Sequence, residues 1–135
     1  MATINAPSLQ DIVYSGECPL AQAHGYIALA AAQIGDKIRL NKVYQGTKIV
    51  DLKMVFADLG TGTTLKVGYE YVNGESGGND AAFLAATDVA TAAGSARSGS
   101  APVTMAYDAY IIATVGGGAA TGQLDVVTVY EFKGK

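Results

Sequence analysis

Tryptophan is absent from this chain of 135 residues, and histidine and cysteine occur once each, as His24 and Cys18. A lone cysteine cannot close an intrachain disulfide. One imidazole and one thiol also fall short of the three or four nitrogen and sulfur ligands of a zinc site. Arginine is nearly missing too (Arg39 and Arg97), and the nine basic residues are scattered under a net charge of −3. A protein that grips a phosphate backbone needs clustered Lys and Arg, so nucleic acid is excluded as the main partner. The densest basic run, residues 37–42, alternates with apolar residues and reads as the solvated side of a strand. Long apolar runs are lacking as well. Residues 81–96 carry only Asp88 as a charge, but they are built of Ala, Thr and Gly and make a poor membrane span. Residues 1–7 have no basic region followed by an apolar core, so no signal peptide is expected. Synthesis and folding in a cytoplasm is the expectation, with no membrane partner.

What is present is glycine, 17 residues of it, together with abundant Ala, Thr and Val. That mixture favours short strands and frequent turns over helices. Half the residues are hydrophobic and the charge is small, so a folded core is expected rather than disorder. The clearest pattern spans residues 47–72. Val50, Leu52, Met54 and Phe56 alternate with Asp51, Lys53 and Ala57, and Leu65, Val67, Tyr69 and Tyr71 alternate with Lys66, Gly68 and Glu70. Side chains on a strand point alternately to opposite faces, so each arm is a strand with one buried face. The intervening Leu59-Gly60-Thr61-Gly62-Thr63 predicts a tight turn, making the pair a central hairpin.

The rest of the chain follows the same grammar. Residues 1–18 are dotted with isolated apolar side chains and form an extended N-terminal arm, with Ile12-Val13-Tyr14 as a short strand broken by Cys18-Pro19. Residues 19–135 form a single domain. Residues 25–33 are Ala-rich but flanked by Gly25 and Gly35, and read as a strand. Strand 37–44 follows, with turns at Gly35-Asp36 and Gln45-Gly46. After the loop 73–80, Asp80 is placed to cap a short helix over 81–86, with Phe83 and Leu84 as anchors. Residues 95–101 read as surface loop or weak edge strand, 102–106 as an edge, and 110–115 as a strand. Residues 116–122 read as a flexible hairpin loop. The last strand, 123–132, is apolar on both faces and predicts a central, covered position. The sum is an all-β chain of about eight strands, an antiparallel two-sheet sandwich of jelly-roll type, with at most one short helix near residues 80–87.

Sites of chemistry are sparse. His24 would have to serve any Ser–His–Asp or Cys–His arrangement, and it sits in a turn-like Gln-Ala-His-Gly setting with no nucleophile elbow nearby. Asn73, Glu75, Asn79 and Asp80 offer oxygen ligands at spacings unlike a calcium loop, and read as a solvated turn. The glycine runs 60–62 and 116–118 lack the lysine and following helix of a phosphate cradle. Tyr69, Tyr71, Tyr107, Tyr110 and Tyr130 could offer sugar-stacking rings, though Tyr69 and Tyr71 lie on the core side. No catalytic residue, cofactor or metal is assigned.

A resemblance adds to this reading. The phrase GTKIVDLKMVFADLGTG at 46–62, then LKVGY at 65–69, a Gly/Asn loop, FLAAT at 83–87 and the closing VTVY at 127–130 resemble the small structural proteins of tailed bacteriophages. They are most similar to capsid decoration, or cement, proteins with a jelly-roll fold, over roughly residues 20–132. The resemblance implies a non-enzymatic virion protein on the outer capsid surface, made in the host cytoplasm. Its partners would be the major capsid protein and itself, as a dimer or trimer, and it would clamp neighbouring shell subunits. The arm, through Ile4, Leu9, Ile12 and Tyr14, and one sheet edge are the expected contacts. A phage tail or fibre-base component and a carbohydrate- or receptor-binding sandwich module are the rival readings.

Overall fold

The computed structural model describes residues 20–89 and 92–132. Nine strands run in chain order: β1 (Leu20–Ala32), β2 (Lys37–Val43), β3 (Thr47–Phe56), β4 (Thr64–Tyr71), β5 (Asn79–Asp88), β6 (Gly94–Arg97), β7 (Val103–Thr104), β8 (Ala109–Gly116) and β9 (Ala120–Phe132). They form two antiparallel sheets. The first has the order β1-β9-β3-β6, with β7 also pairing β3, and the second has the order β2-β8-β4-β5. Among the described residues β4 and β5 are the only consecutive strands that pair with each other. The links β1–β2, β2–β3, β3–β4, β5–β6, β7–β8 and β8–β9 all pass from one sheet to the other, which is the double Greek-key wiring of a jelly roll. β6 and β7 lie along the same strand, β3, so the sandwich has eight strand positions.

Both amphipathic arms of residues 47–72 are strands, but they do not form the hairpin that their spacing predicts. β3 lies in the first sheet and β4 in the second. Leu52 and Met54 from one and Leu65 and Val67 from the other reach the same core from opposite sides, all at 0% exposure. The turn predicted between them is a seven-residue crossing whose Leu59 is itself buried. Leu59 N–H donates to Val89 O, and Leu59 O accepts from Thr121 N–H. The inward set of β3 also differs from a strict alternation. The register against β9 shifts between Ile49 and Asp51, so Val50 is the bulged residue. Thr47 and Ile49 point inward before the bulge, and Leu52, Met54 and Phe56 after it.

Two further expectations change. Residues 81–86 belong to strand β5, not to a helix, because β4 offers them a partner and Phe83 packs into the core. Local Ala propensity is weak beside that pairing. The two glycine-rich stretches, read as separate hairpin loops, are crossings that pack on one another. Gly117, at φ 74°, lies so close to Gly62 O that a Cβ there would fall 2.1 Å from it. Thr63 Oγ1 donates to Ala119 O at 2.8 Å. The strands at 37–44 and 110–115 and the weak edges near 95–106 stand where the pattern put them, and those expected at 25–33 and 123–132 are present but begin earlier, at Leu20 and Ala120.

Candidate interaction surface

The side chains that point away from the core make two different outer faces. On the second sheet the face is ionic. Glu70 on β4 accepts from Arg39 Nε at 3.0 Å and Lys37 Nζ at 3.1 Å, both across from β2. Hydrogen bonding from Arg39, opposed by partial burial and reinforced by Lys37, holds the Glu70 carboxyl below its ordinary range. The Arg39 guanidinium also lies 4.5 Å from the ring centre of Tyr110, a cation–π contact. Lys66 and Asp80 pair at 2.9 Å. Beneath these groups Ile112, although it points outward, is 1% exposed.

On the first sheet the outer face mixes charged pairs, among them Asp51–Arg97, Lys48–Glu131 and His24–Asp125, with apolar side chains. Arg97 on β6 donates through Nε (2.9 Å to Oδ2) and Nη2 to Asp51 on β3. That contact, with a backbone bond from Leu52 N–H, lowers the Asp51 pKa despite partial burial. Val127 and Val129 of β9 floor a shallow trough of about 550 Å³ beside this pair. β9 is central as expected, but among the described residues no further element packs over its second face. Further along, His24 and Tyr26 project from β1. His24 Nε2 lies 2.8 Å from Asp125 Oδ1, and Tyr26 is 70% exposed. His24 is therefore a mid-strand residue, not the turn residue that its neighbours predict.

A third feature lies where the first strand begins. Leu20, Tyr44 and Phe132 are exposed large apolar side chains, and a mainly apolar cleft of about 210 Å³ opens between Ala23, Val43, Tyr44, Tyr130 and Phe132, with Lys42 at its wall, its Nζ 5.6 Å from the centre of the Tyr44 ring. The expected arm contacts Ile4, Leu9, Ile12 and Tyr14 all fall outside the described residues, as does Cys18.

The oxygen-rich loop after β4 is put to structural use. Asn79 Oδ1 accepts from Ala81 N–H at 3.0 Å, and Asp80 is paired with Lys66. No group of three or more His, Cys, Asp or Glu that could hold a metal occurs among the described residues. A groove of about 480 Å³ runs along this loop past Tyr69, Tyr71 and Glu70. Its tyrosines pack against one another, Tyr71 edge-on to Tyr107 at 80° and Tyr69 tilted 59° to Tyr71, instead of lying flat as a sugar platform. Burial, then the neighbouring Tyr71, raises the Tyr69 phenol pKa. No helix among the described residues is long and apolar enough to cross a membrane.

Sequence reasoning missed Tyr26, the valine pair and the cleft. Val127 and Val129 were visible as apolar residues, but period alone cannot tell a covered face from a bare one. Phe132 and Tyr44 come together only through the fold.

No protein-family model and no curated protein matches the sequence. Solved structures do. A chain of the cyanophage Pam1 capsid asymmetric unit superposes with a TM-score of 0.72 at 18% identity, over 98% of this chain and 99% of that one. A chain of the capsid of Ralstonia phage GP4 gives 0.68 at 19%, over 92% of each. A chain of the acid-stable capsid of Helicobacter pylori bacteriophage KHP30 gives 0.65 at 13%, over 85% of this chain and 89% of that one. The fold of this chain is thus the jelly-roll sandwich of small chains in bacteriophage capsid structures.

Proposed function

We propose that this protein is a non-enzymatic structural component of a bacteriophage virion that binds the outer surface of the capsid and clamps neighbouring major capsid subunits. The observation that carries the reading is the near end-to-end match to a chain of a phage capsid asymmetric unit. The match spans 99% of that chain, so the matched chain is a sandwich with no further domain, which fits an accessory that sits on a shell. The surface supports the same role. Apolar side chains lie on the first sheet, with Tyr26 and Leu20 exposed on β1 and Val127 and Val129 at the floor of a trough walled by Asp51, Lys53 and Arg97. Repetition on a lattice multiplies weak contacts of an arm and a face into firm attachment. Self-association as a dimer or trimer belongs to the same reading.

Removal of residues 2–14 tests it. The sandwich stays folded by circular dichroism, and co-sedimentation with undecorated shells falls sharply. Undiminished decoration by the truncated protein would refute the arm's role. The groove along Tyr69 and Tyr71 is the one feature that favours a carbohydrate-binding reading, and titration with host glycans decides it: chemical-shift changes confined to that groove would replace the clamp. A tail or fibre-base position is separated by copy number, few per particle instead of many spread over the shell.

A further inference from the structure

The open side of the sandwich is where β1 and β2, the edge strands of the two sheets, lie over one another. Midway along it the strands touch. At Gly25 an added Cβ would fall 2.8 Å from Leu40 Cβ and 2.7 Å from Asn41 Oδ1, so only glycine lets them approach this closely. Toward the start of β1 the contact loosens into the apolar cleft described above, with Val43 and Thr47, both at most 5% exposed, at its floor. On the opposite side the chain after β6 crosses from one sheet to the other. Ser98 N–H donates to Leu52 O, and Ser100 Oγ donates to Ala82 O on β5.

We infer that this cleft is the socket for the apolar triplet Ile12-Val13-Tyr14 of the protein's own arm. Nineteen residues precede Leu20, and they join the fold at the mouth of the cleft, three residues from Ala23 in its wall. Residues 15–19 (Ser-Gly-Glu-Cys-Pro) lie between the triplet and β1. Five residues rich in turn formers are within the usual length of a connection that reverses a chain. The triplet is the densest apolar stretch of the arm, and it carries no charge. A volume of about 210 Å³ lies below the roughly 300–1,000 Å³ of small-molecule pockets, which suits side chains of the same protein better than a free ligand. β1 is also an edge strand that pairs only with β9 and has no Lys, Arg, Asp, Glu or Pro along its length, so its free side lacks the usual guards against an added strand.

The socket refines the clamp reading, though its test needs no shell. It divides the arm into a base, residues 11–14, that closes the sandwich, and a reach, residues 1–10 with Ile4 and Leu9, that is free for a neighbour. The test places p-benzoylphenylalanine at Tyr14 in the full-length isolated protein and maps the photo-crosslinks by mass spectrometry. A mixture of isotopically light and heavy copies separates crosslinks within one chain from those between chains. The expected products join residue 14 to residues 42–47 or 130–132 of the same chain, and Tyr44→Lys with Phe132→Lys, both at exposed positions, lowers their yield severalfold. Crosslinks to the Asp51–Arg97 face, crosslinks between light and heavy chains, or no crosslink at all would overturn the assignment. Thermal melts add a second readout: removing residues 2–10 leaves the midpoint unchanged, and removing 2–14 lowers it by a few degrees. Equal midpoints would count against the socket even if shell binding were lost.

Discussion

The two sheets share one core and differ in what they show to solvent. The second sheet neutralises its outer face within the chain, through Glu70 held by Arg39 and Lys37, Lys66 held by Asp80, and Arg39 laid over Tyr110. The first sheet also carries pairs, Asp51–Arg97, Lys48–Glu131 and His24–Asp125, but it sets the half-buried Val127 and Val129 and the exposed Tyr26 among them. Burying satisfied ion pairs in a contact is costly, because their water must be given up for little gain. Burying the open part of the valines and Tyr26 is favourable, at about 25 cal/mol per Å² of apolar surface. On the proposed reading, these apolar side chains make the first sheet the contact face and leave the second to water.

That contrast can be broken or sharpened in four ways, and the largest effect lies where the sheets are alike. Leu52→Ala in the first sheet and Leu65→Ala in the second each remove a side chain at 0% exposure. Each is expected to cost about 2–5 kcal/mol in urea unfolding. A loss confined to one of the two would mean that the sheets do not share a core. Next comes the face itself. Val129→Lys is expected to weaken shell binding roughly tenfold, about 1.4 kcal/mol. Stability should hold within about 0.5 kcal/mol, as for other surface changes. The matched change on the second sheet, Lys66→Ala, should leave binding as it was. Equal losses from the two would erase the distinction between the faces.

A smaller effect has the opposite sign. Thr128 is fully buried on the core side of β9, and its hydroxyl has no hydrogen-bond partner among the described residues. Thr128→Val keeps the shape and removes the desolvated hydroxyl, so it should stabilise the protein by about 1 kcal/mol. The smallest effect is acid dependence. Asp51 and Glu70 both have folded-state pKa values below their ordinary 3.8 and 4.5. Carboxylates depressed in this way contribute stability above the unfolded-chain values and lose it as pH falls through the folded ones. Asp51→Asn on one sheet and Glu70→Gln on the other should each flatten the decline of stability below about pH 4.5, most visibly at low salt. Both pairs are solvent-exposed, so the change is expected to be slight.

Much of this fold was legible before any coordinates. Alternation over β3, β4 and β9 told which faces are buried, and glycine and proline marked the breaks. Alternation could not tell which sheet a strand joins. Two strands that face one core from opposite sides carry the same pattern as two that pair side by side. One residue held the clue. Leu59 is apolar in the middle of an otherwise polar turn, and a seven-residue connection that buries a leucine is a crossing, not a hairpin tip. The bulge at Val50 was invisible for a related reason, since one extra residue reverses the phase without changing the composition. The candidate surface was less legible. His24 and Asp125 are 101 residues apart and meet only by the pairing of β1 with β9. The same holds for Tyr44 and Phe132 at the cleft.

The central claim is that this sandwich sits on the outside of a phage shell and bridges its subunits. A reconstruction of the virion that carries the protein tests this most directly. The account predicts paired-sheet density of this size over the outer capsid surface at many equivalent positions, with the first sheet and the arm toward the shell and the Glu70–Arg39 face toward solvent. Density only at the tail or inside the shell, or a sandwich bound through its ionic face, would contradict it.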